Sequence, residues 1–171
     1  EAAQHIGGLA RELEARSIVR SAHSVMGQLD LEGQLSGTGI EVGVMAIDDE
    51  AHEGGRDSQR RALRQLASEA DIGVTGVDYA IAETGTAVLI ARKGVSRLVS
   101  LLPPVHIAVV QSGQVLPSLD ELFTLRRSEF LRGEAGGYMN LISGPSRSGD
   151  IENTLVTGVH GPGKVHLVLI G

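Results

Sequence analysis

The first third of the chain alternates between helical and strand periods. Arg11 to Arg20 opens with helical character and closes in a short strand around Ser17-Ile18-Val19. Ser21 to Leu31 places Val25, Met26 and Leu29 on one side of a short helix, and Gly33 to Gly39 reads as a loop. In Ile40 to Ile47 the residues Ile40, Val42, Val44 and Ala46 alternate against Glu41, Gly43 and Met45, as a strand requires. The acidic, glycine-bearing stretch Asp48 to Arg56 reads as a loop. Asp57 then stands where a carboxylate can cap a helix, by accepting from its free N–H groups. That helix carries one apolar stripe, Ala62, Leu63, Leu66, Ala67 and Ala70, with Arg60, Arg61 and Arg64 facing water.

After Ala70 short apolar runs dominate. Ile72 to Gly76 is a strand ending at glycine, Tyr79 to Ala82 fits either state, Glu83 to Thr86 is a turn, and Ala87 to Ile90 is a buried strand. Leu98 to Leu102 leads into Pro103-Pro104, which forbids helix there. Val105 to Val110 is apolar enough to be covered on both faces. Ser118 with Glu121 has the form of a capping box, and the helix it starts runs to about Leu131 with Leu119, Leu122, Phe123 and Phe130 inward. Gly133 to Gly137 breaks the chain, Tyr138 to Ile142 is a strand, Gly144 to Gly149 a loop, Asp150 to Asn153 one helical turn, Leu155-Val156 a brief extension and Val165 to Ile170 a last strand.

Strands alternating with helices predict one α/β domain over all 171 residues, with a mainly parallel sheet. Composition refines this. Aromatics are confined to Phe123, Phe130, Tyr79 and Tyr138, so the core is aliphatic. There is no cysteine, which excludes disulfides, thiolate zinc sites and cysteine-held iron–sulfur clusters within this sequence. The net charge of -6 argues against a general nucleic-acid partner. No run approaches the ~20 apolar residues of a membrane span.

Several junctions could carry chemistry. Glu83 could serve as nucleophile or base, or simply cap a turn in which Gly85 supplies a positive φ. Gly76 would let a ligand approach the backbone, and Asp78 could orient a hydroxyl or hold an arginine; Asp71 and Asp78 bracket this glycine-bearing strand. Ser143-Gly144-Pro145-Ser146-Arg147 follows a strand and could cradle a carboxylate or phosphate, or only cap a short helix. His106 reads as a hydrogen-bonded core residue. His160, in a glycine-rich turn, is the better acid–base candidate. No set of His, Asp or Glu has metal-ligand spacing, and no Gly-x-Ser-x-Gly elbow is present. The expected pocket gathers Gly76, Asp78, Glu83, Thr84, Gly85, Ser143, Arg147 and His160 at one edge of the sheet, with Thr86, Gly144 and Ser146 as further ligand-binding candidates.

Three segments carry a family resemblance: Ala70 to Thr86 (ADIGVTGVDYAIAETGT), Arg97 to Val110 (RLVSLLPPVHIAVV), and Ile142 to Glu152 (ISGPSRSGDIE) followed by Gly158 to Pro162 (GVHGP). In order and spacing they resemble the lactate-utilisation (LUD) domain family of bacteria. The resemblance implies a three-layer fold of the type shared by ribose-phosphate isomerases, glucosamine-phosphate deaminases and CoA transferases. It implies an accessory role in oxidising L-lactate to pyruvate in the cytoplasm. The iron–sulfur clusters would then sit on partner lactate-utilisation proteins, with no cofactor in this chain. It also lends Glu83-Thr84-Gly85 an echo of the Glu-x-Gly setting of CoA transferases, hence the alternative of a stand-alone isomerase or acyl/CoA-transfer enzyme. Two departures stand out. The N-terminal segment expected before the first strand is short or absent, and Ser148-Gly149-Asp150 replaces the commoner Thr-Ala-Asp.

Overall fold

The computed structural model describes residues 1–46, 53–92, 95–134, 138–149 and 155–171. Five strands form a parallel central sheet: β1 (Ser17–Ser21), β2 (Glu41–Met45), β3 (Ile72–Gly76), β6 (Val105–Gln111) and β11 (Lys164–Ile170), in the order β11-β6-β3-β1-β2. A second sheet, which the sequence reading did not anticipate, has the order β7-β4-β5-β8. It comprises β4 (Tyr79–Ile81), β5 (Thr86–Ile90), β7 (Val115–Leu116) and β8 (Met139–Ile142).

Alternation along each central strand distributes the side chains to two covers. Ile72, Val74, Ile107 and Val109 pack against Ile6 and Ala10 of α1 (Ala2–Glu12), against Val25 and Met26 of a 3₁₀ turn (Ser24–Gln28), and against Leu31 and Leu35 of α2 (Leu31–Leu35). On the other face Val19 and Met45 meet Ala67 and Ala70, at the end of α3 (Glu53–Glu69), and Val99 of α4 (Leu98–Leu101). Beside them Ala108 and Val110 meet Ala80, Ala87 and Leu89 of the second sheet. α5 (Leu119–Leu131) closes that sheet's outer face through Leu122, which packs on Ile81 and Val88. The arrangement is the expected three-layer α/β fold, and the aliphatic core is as composition required. Among the described residues no helix is long and apolar enough to cross a membrane.

Five local expectations need correction. α3 begins at Glu53, so Asp57 lies inside the helix and does not cap it; Asp48 to His52 lie outside the described residues. Of its stripe only Ala67 and Ala70 are buried, because α3 covers the rim of the sheet rather than its middle; Ala62 and Leu66 are exposed. Gly33 to Gly39 is not wholly loop, since Asp30 Oδ1 accepts from the Gly33 N–H and starts α2. Gly144 to Gly149 holds β9 (Arg147–Gly149), paired antiparallel with β10 (Leu155–Thr157); the helical turn expected at Asp150 to Asn153 lies outside the described residues. The capping box at Ser118 forms, with the Ser118 N–H donating to Glu121, but Phe123 and Phe130 point outward. Seating Leu122 against the second sheet turns Arg126 and Glu129 inward, where they pair with each other and Tyr79 Oη donates to Glu129 at 3.3 Å.

Candidate functional site

The strand order creates one distinguished place. From β1 the chain passes to β2 on one side, then crosses back to β3 on the other. The first crossover packs α2 on one face of the sheet and the second packs α3 on the opposite face. The topological switch point of the sheet therefore lies between the carboxyl ends of β1 and β3, the position where open α/β sheets place ligands. The residues that emerge there are His23, just past Ser21, and Gly76 and Asp78, at and just past the end of β3.

These groups interlock. His23 Nδ1 accepts from the Val25 N–H at 3.2 Å, capping the 3₁₀ turn and leaving the ring proton on Nε2. Nε2 lies 3.6 Å from Asp78 Oδ1. Asp78 accepts the Ile90 N–H on Oδ2 at 2.7 Å and the Arg92 Nη1 donor on Oδ1 at 2.5 Å. Burial works to raise the pKa of Asp78, but His23, the Ile90 N–H and Arg92 together hold the carboxyl below its usual range. Gly76 makes room for this: a Cβ there would stand 2.3 Å from Val25 Cγ1 and 2.4 Å from His23 Nδ1. The space the sequence reading reserved for a ligand is filled by His23.

The chemistry follows from who is already engaged. With Nδ1 accepting from the Val25 N–H and Nε2 buried 3.6 Å from Asp78 Oδ1, His23 acts as a positioning residue for its neighbours. Asp78 is committed to Arg92. The guanidinium of Arg92, with 43% of its side chain exposed, is the group left to meet a ligand. It borders a cavity of 310 Å³ shared with Met45, Arg60, Leu63, Arg64, Ser96 and Leu98. Asp78→Ala is expected to cost about 2 kcal/mol of stability by orphaning the Ile90 N–H, with the share of half-exposed Arg92 discounted. Asp78→Asn, whose amide oxygen still accepts that N–H, should cost about half as much; urea midpoints at neutral pH read both.

The other residues singled out in the sequence fall into two further groups. Glu83 is exposed at the tip of the β4–β5 hairpin, at the opposite end of β4 from Asp78. Gly85 has φ +62°, so the turn uses its glycine for conformation. Thr84, Thr86 and Ser143 form a chain of hydroxyls, 2.6 Å and 2.8 Å apart, with Gly144 adjacent. Ser146, Arg147 and His160 lie elsewhere. The Ser146 N–H donates to the Pro162 carbonyl, and Ser146 Oγ accepts the His160 N–H at 3.2 Å. This turn leads into β11 and bonds through Gly163 to Pro104, just before β6, so it sits at the amino ends of the parallel strands. It is thus on the far edge from Gly76, and the single pocket expected for all of these residues does not form. Asp71 is also at that far edge, accepting the Arg16 and Ser17 N–H groups at 2.8 Å and 3.0 Å as a structural clamp.

His23 and Arg92 were missed. The rule that favoured His160, a turn following a strand, applies to His23 with greater force, because His23 follows a strand of the central sheet and His160 precedes one. Arg92 had no signal in the sequence; only the return of β5 to Asp78 reveals it. His106 is fully buried in β6, with Nε2 2.8 Å from Thr75 Oγ1, as a core histidine should be.

Comparison with known proteins places the chain among relatives. The family model described as LUD domain matches residues 1–170. "Lactate utilization protein C" of an Exiguobacterium species is 46% identical over 117 residues, 66% of this chain and 50% of that protein. The protein of the same name from Halalkalibacterium halodurans is 40% identical over 63% of this chain and 47% of its own length. That from Bacillus subtilis is 39% identical over 61% and 44%. The chain thus spans about half the length of these relatives. A crystal structure of a DUF162-family protein from Deinococcus radiodurans superposes on 100% of this chain and 85% of its own, with TM-score 0.58 and 24% identity, which supports the fold.

Proposed function

The chain belongs to the LUD domain family, and from that premise we propose that it is an accessory component of L-lactate oxidation to pyruvate that binds a small carboxylate through Arg92. The names of its relatives support the pathway. The observation that carries the binding role is the arginine held by Asp78 at the switch point of the sheet, with His23 already engaged. Arginine suits a carboxylate because its donors form a planar fork. A binding role fits the exposed hairpin position of Glu83 better than a reacting carboxylate does. As the family resemblance implies, the redox groups of such a system would be iron–sulfur clusters on partner proteins. The outer face of α5, where Phe130 is 71% and Leu131 73% exposed, supports docking on such a partner.

Complementation tests this. A bacterium deprived of its own copy should regain growth on L-lactate with the wild-type chain and with Glu83→Gln, but not with Arg92→Gln at equal protein level. Co-purification of a cysteine-rich partner should persist in all three strains. Full growth with Arg92→Gln would overturn the assignment, and loss of growth with Glu83→Gln would point to the transfer chemistry instead.

A further inference from the structure

Arg92 faces two cavities of different character. One, of 430 Å³, brings together Asp78, Glu129 and Glu134 with Arg92, Arg126 and Arg132, so its charges balance in pairs. The other is the 310 Å³ cavity beside α3. There Arg60, Arg64 and Arg92 surround a floor of Met45, Leu63 and Leu98, and no acidic residue lines it among the described residues.

Arg60 and Arg64 stand one helical turn apart on α3, a like-charged pair that disfavours the helix unless an anion lies between them. The contact of Arg60 with Asp57 is 3.7 Å long and about three-quarters exposed on both sides, so it neutralises little. The floor is the other half of the observation. Met45, at the end of β2, is buried, and Leu63 of α3 and Leu98 of α4 are half-buried, so the apolar surface that the cavity leaves to water belongs mainly to the two leucines. A volume of 310 Å³ falls at the small end of ligand pockets, yet it is more than a three-carbon anion such as lactate fills.

We infer that the cavity lined by Arg60, Arg64, Arg92, Met45, Leu63 and Leu98 takes an organic anion with an apolar body longer than that of lactate. Its carboxylate meets the arginines and its hydrocarbon chain lies over the floor. This rests on the reading that Arg92 meets a carboxylate, and it adds which carboxylates are preferred.

A titration of the isotope-labelled chain by NMR, with acetate, lactate, butyrate, hexanoate and inorganic phosphate as probes, tests it. Methyl signals of Met45, Leu63 and Leu98 should move with hexanoate. Affinity should rise about three- to fourfold for each added methylene, the value of burying that group. The double variant Arg60→Gln/Arg64→Gln should weaken hexanoate about tenfold, with the dispersion of the spectrum unchanged because both side chains are exposed. Affinity that stays flat from acetate to hexanoate, phosphate binding as tight as hexanoate, or a double variant that binds hexanoate like the wild type would each overturn the inference. If acetate and lactate move the Arg92 side-chain signals and longer chains gain nothing, this inference fails while the carboxylate reading stands. If no carboxylate moves Arg92, both fail.

Discussion

Gly73→Ala is expected to cost at least about 3 kcal/mol of stability, among the largest effects of any single methyl group in this molecule. Gly73 is the second residue of β3, where α4 lies directly on the strand. A Cβ at this position would stand 1.8 Å from the Val99 carbonyl oxygen, 3.0 Å from its carbon and 3.1 Å from Pro103 Cγ. The obstacle is backbone, so no side-chain rotation relieves it. α4 must lift, and with it Val99, which closes the core between β1 and α3. The requirement is space and not conformation, since Gly73 is absent from the glycines with positive φ. Gly85→Ala supplies the contrast: φ is +62° with open space around it, so the cost is about 1–2 kcal/mol of backbone strain. Urea unfolding compares them, and a Gly73→Ala midpoint no lower than that of Gly85→Ala would refute the close seat of α4.

Acidification should remove a further large share of stability through one imidazole. His106 is fully buried, its Nε2 bonded to Thr75 and its Nδ1 without a partner, and burial lowers its pKa from 6.5 to about 4. The unfolded chain therefore binds a proton at pH 5 that the folded chain refuses. Stability then rises with pH across this interval. It is fully present above 6.5, falls as the pH drops, and levels off once the folded state also protonates near 4. The interval corresponds to about 3 kcal/mol at most. His166, whose pKa burial also lowers, adds in the same direction. Asp78 and Asp71 act lower down. Desolvation raises their pKa values but hydrogen bonds lower them more, so their contribution is lost only as the pH falls past the usual carboxylate value. Denaturant midpoints measured from pH 7 to pH 4 should slope in the wild type and flatten markedly in His106→Gln. An unchanged slope in that variant would assign the acid sensitivity elsewhere.

Much of the fold was legible in residue pattern. Ile72 to Gly76, Ala87 to Ile90, Val105 to Val110 and Val165 to Ile170 are strands because short aliphatic runs bounded by glycine or proline leave little alternative. The Ser118 box marked the start of α5 because capping is a local bargain between neighbours. What failed was the facing of elements. Phe123 and Phe130 looked like core residues, yet the helix turns Arg126 and Glu129 inward because their pairing with each other and with Tyr79 satisfies that face. The candidate site failed for a related reason. Gly76 and Asp78 were found as junction residues, but nothing in the order of residues says that Arg92 returns to Asp78, or that His160 stands before a strand of the central sheet and not after one.

Sequence by itself determined the class of fold, the aliphatic core and the family, for these depend on local period, composition and linear order. Tertiary structure alone decided which junctions meet. Strand order sends β2 and β3 to opposite sides of β1, and that crossing gathers His23, Asp78 and Arg92 at one end of the sheet while leaving Ser146 and His160 at the far edge. The physical reason is that parallel strands have two distinct ends, and a turn's chemistry is set by the end it occupies, which only the packed sheet fixes.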